Sequence, residues 1–477
     1  MRFTQYINEA REMLKQWKKY LSTNKELSAG VDILNKINKA GYNAYFVGGV
    51  VRDIVIGRDF NDIDIASNID FDNLSKIFKI YDIGKSKDFG ISVIKYKGFN
   101  FEIARYRSDG KYEDGRRPET VKFNVTLKDD MSRRDIQINA MAIDKNGNII
   151  DYFDGKKDIK NKLLRTVGDP YKRFGEDHLR IMRAARFSSK LGFEIEKDTK
   201  KAAQKLSNKI LELSPERIKD EIMKAAAQSG DKFADYIIEL DKLKILKHIL
   251  PEVLNLKFWR ENLQHHPETR GGGGTVWTHT MEALRKSNTA DPIANLSILL
   301  HDVGKGVTFS QKEGLPKYLG HAKASIDLVD SIADRLKMSN KERQSLIFAV
   351  GNHMKFHNIL KMKPSKISKL VNDENWDVLV AVSRADEFSR GETFMYAGEF
   401  EKIINKAIEI KNKWGKKQLK KTNNIINGNR IMELLNLSPG PIIGKIKSDV
   451  MEEILNNNIK DKEEIDKLII KIGNKYK

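Results

Sequence analysis

The pattern of apolar residues changes near residue 165, and this change constrains the fold more than any other feature of the sequence. Between residues 60 and about 155, short segments such as DIDIA, ISVIKYKG and FEIARYR alternate in polarity and predict β-strands. From about residue 171 onwards, most segments are longer, contain few glycines and predict helices. We therefore expect an α+β fold, in which a small mixed-sheet head precedes a long, all-helical body.

Helical spacing and glycine-rich stretches suggest how the chain is divided. Leu14, Trp17 and Leu21 are spaced as on one helix face. RSDGKYEDGRRPET (107–120) is expected to be a mobile loop, and GGGG (271–274) a loop or hinge. The predicted segments are an N-terminal helical extension (1–40), the head (41–165), a helical neck and body (166–260), a second helical domain (261–410) and a helical tail (411–477).

The composition favours a polyanionic partner. The chain has 86 basic and 66 acidic residues, a net charge of +20, which suggests nucleic acid, with a general bias towards lysine as the alternative. Cysteine is absent, so disulfides and cysteine–zinc sites are excluded, as suits a reducing cytosol. The charged N-terminal sequence and the lack of a long apolar run predict neither a signal peptide nor a membrane span. We therefore expect a cytoplasmic protein.

Two aspartates in the segment DIDIA form a candidate metal site. Residues two apart on a strand point to the same face, so Asp62 and Asp64 would lie side by side. Adjacent carboxylates repel each other unless a cation lies between them, and Mg²⁺ prefers such oxygen ligands. Glu102, on another predicted strand, could be a third carboxylate. An exposed turn is the alternative interpretation of the aspartate pair taken alone.

A pair of glycines precedes these aspartates. Gly48 and Gly49 leave backbone N–H groups free to approach a phosphate, since a predicted helix begins directly after them. Arg52 adds a positive charge on the first turn of that helix. A phosphate-binding turn beside a metal site suggests phosphoryl or nucleotidyl transfer, with a simple hairpin turn as the alternative.

The order of these motifs resembles a known family. GGVVRD and DID are followed by RRDIQINAMA (133–142) and EDHLRIMRAARF (176–187), with matching spacing across about residues 40–225. The pattern resembles the class II nucleotidyltransferases, which comprise the tRNA CCA-adding enzymes and bacterial-type poly(A) polymerases. The resemblance implies a polymerase-β-like head. It also implies an enzyme that adds C, C and A to the tRNA 3′ end from CTP and ATP, without a nucleic-acid template and with release of pyrophosphate.

The resemblance also implies residue roles. Asp62 and Asp64 would bind two Mg²⁺ ions, with Glu102 as a further catalytic carboxylate. Asp177 and Arg180 would hydrogen-bond the base, because residues three apart share a helix face. The implied nucleotide-binding residues are Gly48, Gly49, Arg52, Arg133, Arg134, Asp135, Asp177, Arg180, Arg183 and Arg186, the last expected to serve phosphate or packing.

Three further positions differ from the usual family sequence or extend the resemblance. His178 stands where family members usually have proline, so the helix is expected to start less rigidly. DYFDG (151–155) departs from the usual family turn. In SPERIKDEI (214–222), Glu216 and Arg217 are expected to brace the base-selecting helix.

Histidines and aspartates in the second helical region form another constellation. A lone His–Asp pair is usually structural, but the set His279, His301, Asp302 and Asp386 resembles the HD phosphohydrolase domain. In that family these four residues would hold a divalent metal, whose identity the sequence does not give. The resemblance places two more histidines near the metal as possible ligands, His321 and His353.

A transferase head joined to an HD domain resembles the multifunctional bacterial tRNA nucleotidyltransferases, in which the HD part hydrolyses phosphates and 2′,3′-cyclic phosphates. The implied partners are tRNA, CTP and ATP, with NGNRIMELLNLSPGPIIGKI (427–446) meeting the tRNA elbow and the 107–120 loop switching from C to A. Two alternatives stay open: a poly(A) polymerase that uses ATP only, and an HD phosphohydrolase whose head merely binds RNA. The sequence does not give the oligomeric state.

Overall fold

The computed structural model describes residues 2–81, 89–110, 120–262, 274–390 and 397–476. The chain divides into two compact units, residues 1–221 with 235–249 and residues 222–234 with 250–477. Among the described residues, no helix combines the length and the apolar character that a membrane span needs. Residues 111–119 of the predicted loop and 271–273 of the GGGG stretch lie outside the described residues. The finer segment boundaries predicted from the sequence stay predictions.

A mixed β-sheet forms the centre of the first unit, as predicted. The strands of this unit are β1 (Ala44–Val47), β2 (Asp64–Ser67), β3 (Ile80–Tyr81), β4 (Ile91–Tyr96), β5 (Phe99–Arg105), β6 (Ser108–Asp109), β7 (Val121–Lys122), β8 (Met141–Ile143), β9 (Ile149–Asp151), β10 (Leu163–Leu164) and β11 (Glu194–Ile195). Seven of them form one sheet in the order β3-β4-β5-β2-β1-β8-β9. Within it β2 and β5 are parallel, and the other neighbouring strands are antiparallel. The predicted 107–120 loop in fact starts within a short ladder, because β6 pairs with β7.

Helices surround this sheet and continue beyond it. Those within the first unit are α1 (Arg2–Thr23), α2 (Lys25–Lys39), α3 (Gly49–Ile56), α4 (Phe71–Ile77), α5 (Leu127–Ser132), α6 (Gly155–Lys160), α7 (Pro170–Glu176), α8 (Leu179–Leu191) and α9 (Lys197–Lys205). Two helices, α10 (Pro215–Ala226) and α11 (Gly230–Lys242), each have residues in both units, and α12 (Leu246–Ile249) belongs to the first.

The two faces of the sheet have separate cores. One face packs against α1, α2 and α3 through residues such as Ile65, Ile33 and Ile54. The other packs Val47 and Ala66 against residues of α5 and neighbouring loops. Because side chains alternate along β2, Asp64 lies on the same face as Ala66, opposite Ile65. This alternation brings a carboxylate to the end of a strand that is otherwise buried.

The N-terminal extension is helical, as predicted, but it consists of two helices. Asn24 separates α1 from α2, and its side chain accepts a hydrogen bond from Leu27 N, which caps α2. Trp17 is buried with its ring centroid 6.0 Å from that of Phe46 in the sheet. The extension therefore forms part of the head core.

Among its described residues, the second unit is helical apart from one hairpin and short connecting segments. Its elements are α13 (Pro251–Asn255), α14 (Val276–Lys286), α15 (Pro292–Leu300), α16 (Lys305–Thr308), β12 (Ser310–Lys312), β13 (Leu315–Lys317), α17 (His321–Arg335), α18 (Asn340–Phe356), α19 (Pro364–Val371), α20 (Trp376–Ser389), α21 (Ala397–Trp414), α22 (Lys416–Ile425), α23 (Gly428–Leu435), α24 (Pro441–Asn457) and α25 (Lys462–Gly473). The prediction of a helical domain over residues 261–410 is wrong at β12 and β13. Glu313 and Gly314 both have positive φ, the conformation of a two-residue hairpin turn.

Candidate active site

The predicted carboxylates converge at one end of β2. Asp64 begins this strand and lies directly opposite Glu102 of the parallel strand β5. Asp62 lies two residues before Asp64, just outside the strand, while Ile63 and Ile65 are buried. Burial raises the pKa of Asp64; Arg134 opposes this rise, and the neighbouring charges of Glu102 and Asp62 add to it. The charges of Glu102 and Asp62 thus oppose ionisation of Asp64, and a bound Mg²⁺ ion would relieve this repulsion.

Gly48 brings the backbone close to these carboxylates. It lies between β1 and α3 with φ +76° and ψ −132°, a conformation that side chains with a Cβ rarely adopt. A Cβ at this position would stand 3.1 Å from Arg134 Nη1 and 3.6 Å from Asp64 Oδ2. Glycine at position 48 therefore permits both the turn and the approach of the arginine to the aspartate. Gly49 is the first residue of α3.

Arg52 lies in a buried position rather than on an open surface. Its guanidinium donates two hydrogen bonds of 2.8 Å to Asp53 and one of 2.8 Å to Asn139. The side chain also lies over the ring of Phe187, 5.2 Å from its centroid. These contacts hold α3 against Asn139 and the Phe187 ring of α8. A direct contact of Arg52 with triphosphate stays a prediction.

The adjacent arginines Arg133 and Arg134 are held differently. Arg133 donates to Asp130 Oδ1 at 2.8 and 3.0 Å and to the carbonyl of Arg107 at 3.2 Å. Arg134 reaches Asp130 only at 3.5 Å, and its other terminal nitrogen points to the glycine turn. Asp130, which was not predicted from the sequence, is buried and fixes Arg133 from three residues upstream. Of the two arginines, Arg134 is the one that faces Asp64.

A cavity of about 310 Å³ joins the glycine turn to the predicted base-selecting residues. Its volume lies at the lower end of the range for small-molecule pockets, about 300–1,000 Å³. Arg52 and Arg186 are not among its lining residues. The lining residues are Gly48, Arg133, Arg134, Asp135, Asn139, Asp177, Arg180 and Arg183. Asn139 was missed from the sequence, although it lies four residues after Asp135 in the segment RRDIQIN.

The prediction that Asp177 and Arg180 share one helix face is wrong. Helix α7 ends at Glu176 and α8 begins at Leu179, so Asp177 lies in an extended break with φ −148°. Its carboxylate accepts a hydrogen bond from Leu179 N at 3.0 Å and two contacts from Arg217 Nη2 at 2.9 and 3.1 Å. Asp177 therefore caps the start of α8 and is positioned by an arginine from α10.

Arg180 and His178 are positioned by their own contacts. Arg180 donates to Glu176 at 2.7 Å and to two backbone carbonyls at 3.2 and 3.3 Å. His178 is buried, and its Nδ1 lies 2.9 Å from the carbonyl oxygen of Phe174. The φ of −63° at His178 is one that proline also adopts, so the backbone here is compatible with the proline that is usual in the family.

Two arginines of α8 form structural ion pairs. Arg183 donates to Asp135 at 2.8 and 2.9 Å. Burial alone would raise the pKa of Asp135, but the Arg183 guanidinium lowers it to about 2. Arg186 contacts Glu221 at 2.5 Å and lies over the Phe187 ring, as expected of a packing residue. Asp135 and Arg183 thus form a fixed wall of the cavity.

The second predicted site also assembles. His279 lies on α14, His301 and Asp302 directly follow α15, and Asp386 lies on α20. The two further histidines join them, His321 at the start of α17 and His353 on α18. Asp302 Oδ2 is 3.1 Å from His301 Nε2 and 3.7 Å from His279 Nε2. Its Oδ1 is 3.2 Å from His321 Nε2 and 3.9 Å from His353 Nε2.

Backbone carbonyls fix the orientation of three of these imidazoles. The Nδ1 atoms of His301, His321 and His353 lie 2.7, 2.8 and 2.6 Å from the carbonyl oxygens of Ile298, Tyr318 and Val350. A carbonyl only accepts, so each Nδ1 carries hydrogen, and in a neutral ring Nε2 then carries the lone pair. Burial is the main cause that lowers the pKa of His353 to about 3, so this ring is neutral near pH 7. Such an arrangement is typical of metal-binding histidines.

Other charged groups surround the cluster. Lys305 Nζ lies 2.6 Å from Glu261 and 2.9 Å from Asp302; burial alone would lower its pKa, but these two carboxylates raise it. Arg390 and His357 contact Asp386 at 3.1 and 3.3 Å. These four residues were not predicted from the sequence. Helical spacing could have indicated three of them, because residues three or four apart lie on one helix face. Lys305 is three residues after Asp302, Arg390 is four after Asp386, and His357 is four after His353. No such signal existed for Glu261, which is distant in sequence.

Comparisons with known proteins identify parts of the chain. Residues 44–165 match the family described as the poly A polymerase head domain, and residues 192–256 match the family described as "Probable RNA and SrmB- binding site of polymerase A". The chain is 45% identical over 202 residues to the CCA-adding enzyme of Bacillus pumilus, which covers 42% of this chain and 50% of that protein. It is 40% identical over 272 residues to the CCA-adding enzyme of Lactobacillus johnsonii. This match covers 56% of this chain and 66% of that protein. The chain thus spans about half to two thirds of the length of these relatives.

Solved structures share the fold. The crystal structure of the Bacillus stearothermophilus CCA-adding enzyme in complex with CTP superposes with a TM-score of 0.72 and 23% identity, covering 95% of this chain and 99% of that one. The Thermotoga maritima CCA-adding enzyme complexed with tRNA has a TM-score of 0.56 and 21% identity, covering 95% of this chain and 97% of that one. At these identities the likeness shows the fold, α+β with a mixed-sheet head and a helical body.

Proposed function

The chain belongs to the class II tRNA nucleotidyltransferase and poly(A) polymerase family, and on that premise we propose that it adds C, C and A to tRNA 3′ ends from CTP and ATP. The observation that carries the proposal is the cavity that connects the glycine turn beside Asp64 with Asp177 and Arg180. It offers positive charge for a triphosphate at one end and a carboxylate–guanidinium pair for a base at the other.

The residues of the head have separate tasks in this reaction. Asp62 and Asp64, with Glu102 beside them, would hold Mg²⁺. When bound, Mg²⁺ supplies positive charge that stabilises the attacking and leaving oxygens during nucleotidyl transfer. Arg134 orients the triphosphate, because it is the arginine of its pair that faces the glycine turn.

Base selection falls to Asp177 and Arg180. Arg217 holds the Asp177 carboxylate and Glu176 holds the Arg180 guanidinium, so both groups are positioned before a nucleotide enters. A carboxylate accepts hydrogen bonds and a guanidinium donates them. Together they match the hydrogen-bonding edges of cytosine and adenine. Since the protein supplies the selecting groups, the reaction needs no nucleic-acid template.

A second activity is proposed for the histidine–aspartate cluster, namely metal-dependent hydrolysis of phosphate esters. The supporting observation is the set of Nε2 atoms that converge on Asp302, each on a ring oriented through its Nδ1. His279, His301, Asp302 and Asp386 would hold a divalent ion, which when bound supplies Lewis acidity toward a phosphoryl group. Arg390 lines the adjoining cavity and would bind the phosphate.

Incubation with tRNA that lacks its 3′ end tests the transferase proposal. CTP and ATP are supplied singly and together with Mg²⁺, and the products are sized by electrophoresis. Addition of C, C and A followed by a stop is the expected result. A long A tail from ATP alone would instead indicate a poly(A) polymerase. No extension, with phosphate release in the presence of a divalent metal, would leave only the hydrolase.

A further inference from the structure

Helix α1 is fixed to the head by Trp17. This side chain is buried, and its ring lies 6.0 Å from that of Phe46 in β1, measured between centroids. The turn between β8 and β9 packs on the same ring, since a Cβ on Gly147 would come within 2.6 Å of it. The neighbours of Trp17 on α1 are therefore held at defined positions over the head.

Two polar residues of α1 contact the end of α3. Gln16 Nε2 donates a hydrogen bond of 2.8 Å to the carbonyl of Ile54, in the last turn of α3. The same nitrogen would lie 3.3 Å from a Cβ on Gly57, the left-handed residue that ends this helix. Tyr20, on the same face of α1 as Gln16, donates a hydrogen bond of 3.0 Å to the carbonyl of Arg58. Helix α1 thus holds the backbone on both sides of the turn at Gly57.

A contact between two aromatic rings continues toward the carboxylates. The ring centroids of Tyr20 and Phe60 are 5.5 Å apart, and Phe60 is two residues before Asp62. Among the described residues, the pairing of β2 with β1 and β5 begins at Asp64 and does not include Asp62. The strand ladder therefore fixes Asp64, whereas the position of Asp62 depends on the segment 57–61 that α1 contacts.

We propose that Tyr20 and Gln16 are positioning residues for nucleotidyl transfer, which hold the segment 57–61 so that the Asp62 carboxylate stays beside that of Asp64. The inference rests on the proposed function of the head as a transferase. Neither Tyr20 nor Gln16 lines the cavity of the nucleotide site, so both act through Asp62 and not on the substrate. Small displacements of such a group lower the rate strongly, because transfer requires a precise geometry.

The segment 57–61 has one further contact outside α1. Arg58 donates to the carbonyl of Lys190 in α8 at 3.3 Å, a longer hydrogen bond than the one that Tyr20 makes. This contact involves the Arg58 side chain, whereas Tyr20 contacts both the backbone and the ring of Phe60. Tyr20 is therefore the residue whose replacement should affect Asp62 most.

The kinetics of Tyr20 variants test the proposal, with tRNA that lacks its 3′ end and a range of CTP and Mg²⁺ concentrations. Tyr20→Phe removes one hydrogen bond and keeps the ring, so kcat should fall about 2- to 10-fold. Tyr20→Ala also removes the contact with Phe60 and should lower kcat about 10- to 100-fold. The Mg²⁺ concentration for half-maximal rate should rise. KM for CTP at saturating Mg²⁺ should stay within about 2-fold, because the residues that line the cavity keep their contacts.

Hydrogen–deuterium exchange gives a readout that does not depend on activity. Peptides that cover residues 57–63 should exchange faster in both Tyr20 variants, while peptides from β1 and α8 keep their exchange rates. Tyr96→Phe is the matched control, because Tyr96 is another partly buried tyrosine packed on the same core. It lies at the hairpin end of β4, three residues beyond the partner of Glu102, and should leave kinetics and exchange unchanged. Thermal unfolding of each variant is measured alongside, and Tyr20→Phe decides the question if Tyr20→Ala does not fold.

The outcomes separate this inference from the proposed function. Failure of the unmodified chain to add any nucleotide would overturn the proposed function and the inference with it. Normal addition by the unmodified chain, with unchanged kcat in the Tyr20 variants, would overturn the inference alone. A lower kcat accompanied by faster exchange across the whole head would also overturn it, because α1 would then only support the fold.

Discussion

The carboxylate site of the head and the histidine–aspartate cluster of the second unit are built in contrasting ways. In the head, Asp64 and Glu102 are register partners on neighbouring strands and Asp62 is two residues away, so one strand pairing brings the candidate ligands together. In the second unit, four helices and one loop each contribute one or two candidate ligands. The candidate ligands of the head are oxygens near an open cavity, whereas those of the second unit are mostly imidazoles and, apart from the half-buried His321, are buried. The comparison suggests two independent sites with different metal preferences.

Independence of the two sites predicts the largest effects. Asp64→Ala should reduce nucleotide addition by at least about 100- to 1,000-fold, the usual loss for one preorganised electrostatic group, and should spare phosphate-ester hydrolysis. Asp302→Asn should abolish phosphate-ester hydrolysis and spare nucleotide addition. Both reactions are measured on each purified variant, with Mg²⁺ for addition and Mn²⁺ for hydrolysis. If Asp64→Ala left addition intact, the assignment of the head site would be wrong, and loss of both reactions in either variant would show that the sites are coupled.

Metal removal should sharpen the contrast. Carboxylates beside an open cavity hold Mg²⁺ weakly without substrate phosphates, whereas buried imidazoles bind transition metals tightly. After gel filtration without added metal, we expect addition to require fresh Mg²⁺ and hydrolysis to retain most of its rate. A prolonged chelator treatment should then abolish hydrolysis. Equal sensitivity of the two reactions to gel filtration would contradict the proposed difference in ligand type.

The same contrast explains what could be predicted from the sequence. Alternation along DIDIA and FEIARYR placed Asp64 and Glu102 correctly, because strand periodicity is local. Helical periodicity placed Asp177 wrongly, since the break between α7 and α8 depends on capping and on Arg217 from a distant helix. The residue types of the histidine–aspartate cluster were evident from the sequence, but the division of four imidazoles between the two oxygens of Asp302 depends on tertiary packing.

Arg217 is the long-range contact on which base selection should depend. Arg217→Ala removes a charged hydrogen bond to Asp177, typically about 1.5–3 kcal/mol, so kcat/KM for CTP and ATP should fall about 10- to 100-fold. Discrimination against UTP and GTP should weaken at the same time, while hydrolysis stays unchanged. Arg217→Lys is the matched control and should restore part of the loss, because a single nitrogen makes both contacts. Reduced addition with unchanged discrimination would limit Arg217 to a structural role.

The Asp135–Arg183 pair should make the head sensitive to acid. The folded pKa of Asp135, about 2, lies below its ordinary value of 3.8, so the pair stabilises the fold above about pH 4 and loses this contribution as the pH falls toward 2. The shift corresponds to about 2 kcal/mol, of which about half is lost by pH 3. The difference in unfolding free energy between the unmodified chain and Asp135→Asn, measured by denaturant titration, should therefore narrow between about pH 5 and pH 3. A constant difference would show that the carboxylate is not held ionised by Arg183.

The smallest expected effect concerns His178, between α7 and α8. His178→Pro is compatible with the local backbone, because φ is already −63° and the preceding Asp177 is extended, as a residue before proline prefers. Proline should gain about 0.4–1 kcal/mol by restricting the unfolded chain and lose a similar amount with the contacts of the imidazole to Phe174 and to the half-exposed Glu212, so the unfolding free energy should change by less than about 1 kcal/mol. Leu179→Pro is the contrasting variant: it removes the hydrogen bond to Asp177 and places a helical residue before proline, so it should lower both stability and nucleotide addition. Equal damage from the two substitutions, measured by thermal unfolding and by kcat/KM for CTP, would mean that the His178 side chain itself positions the base-selecting residues.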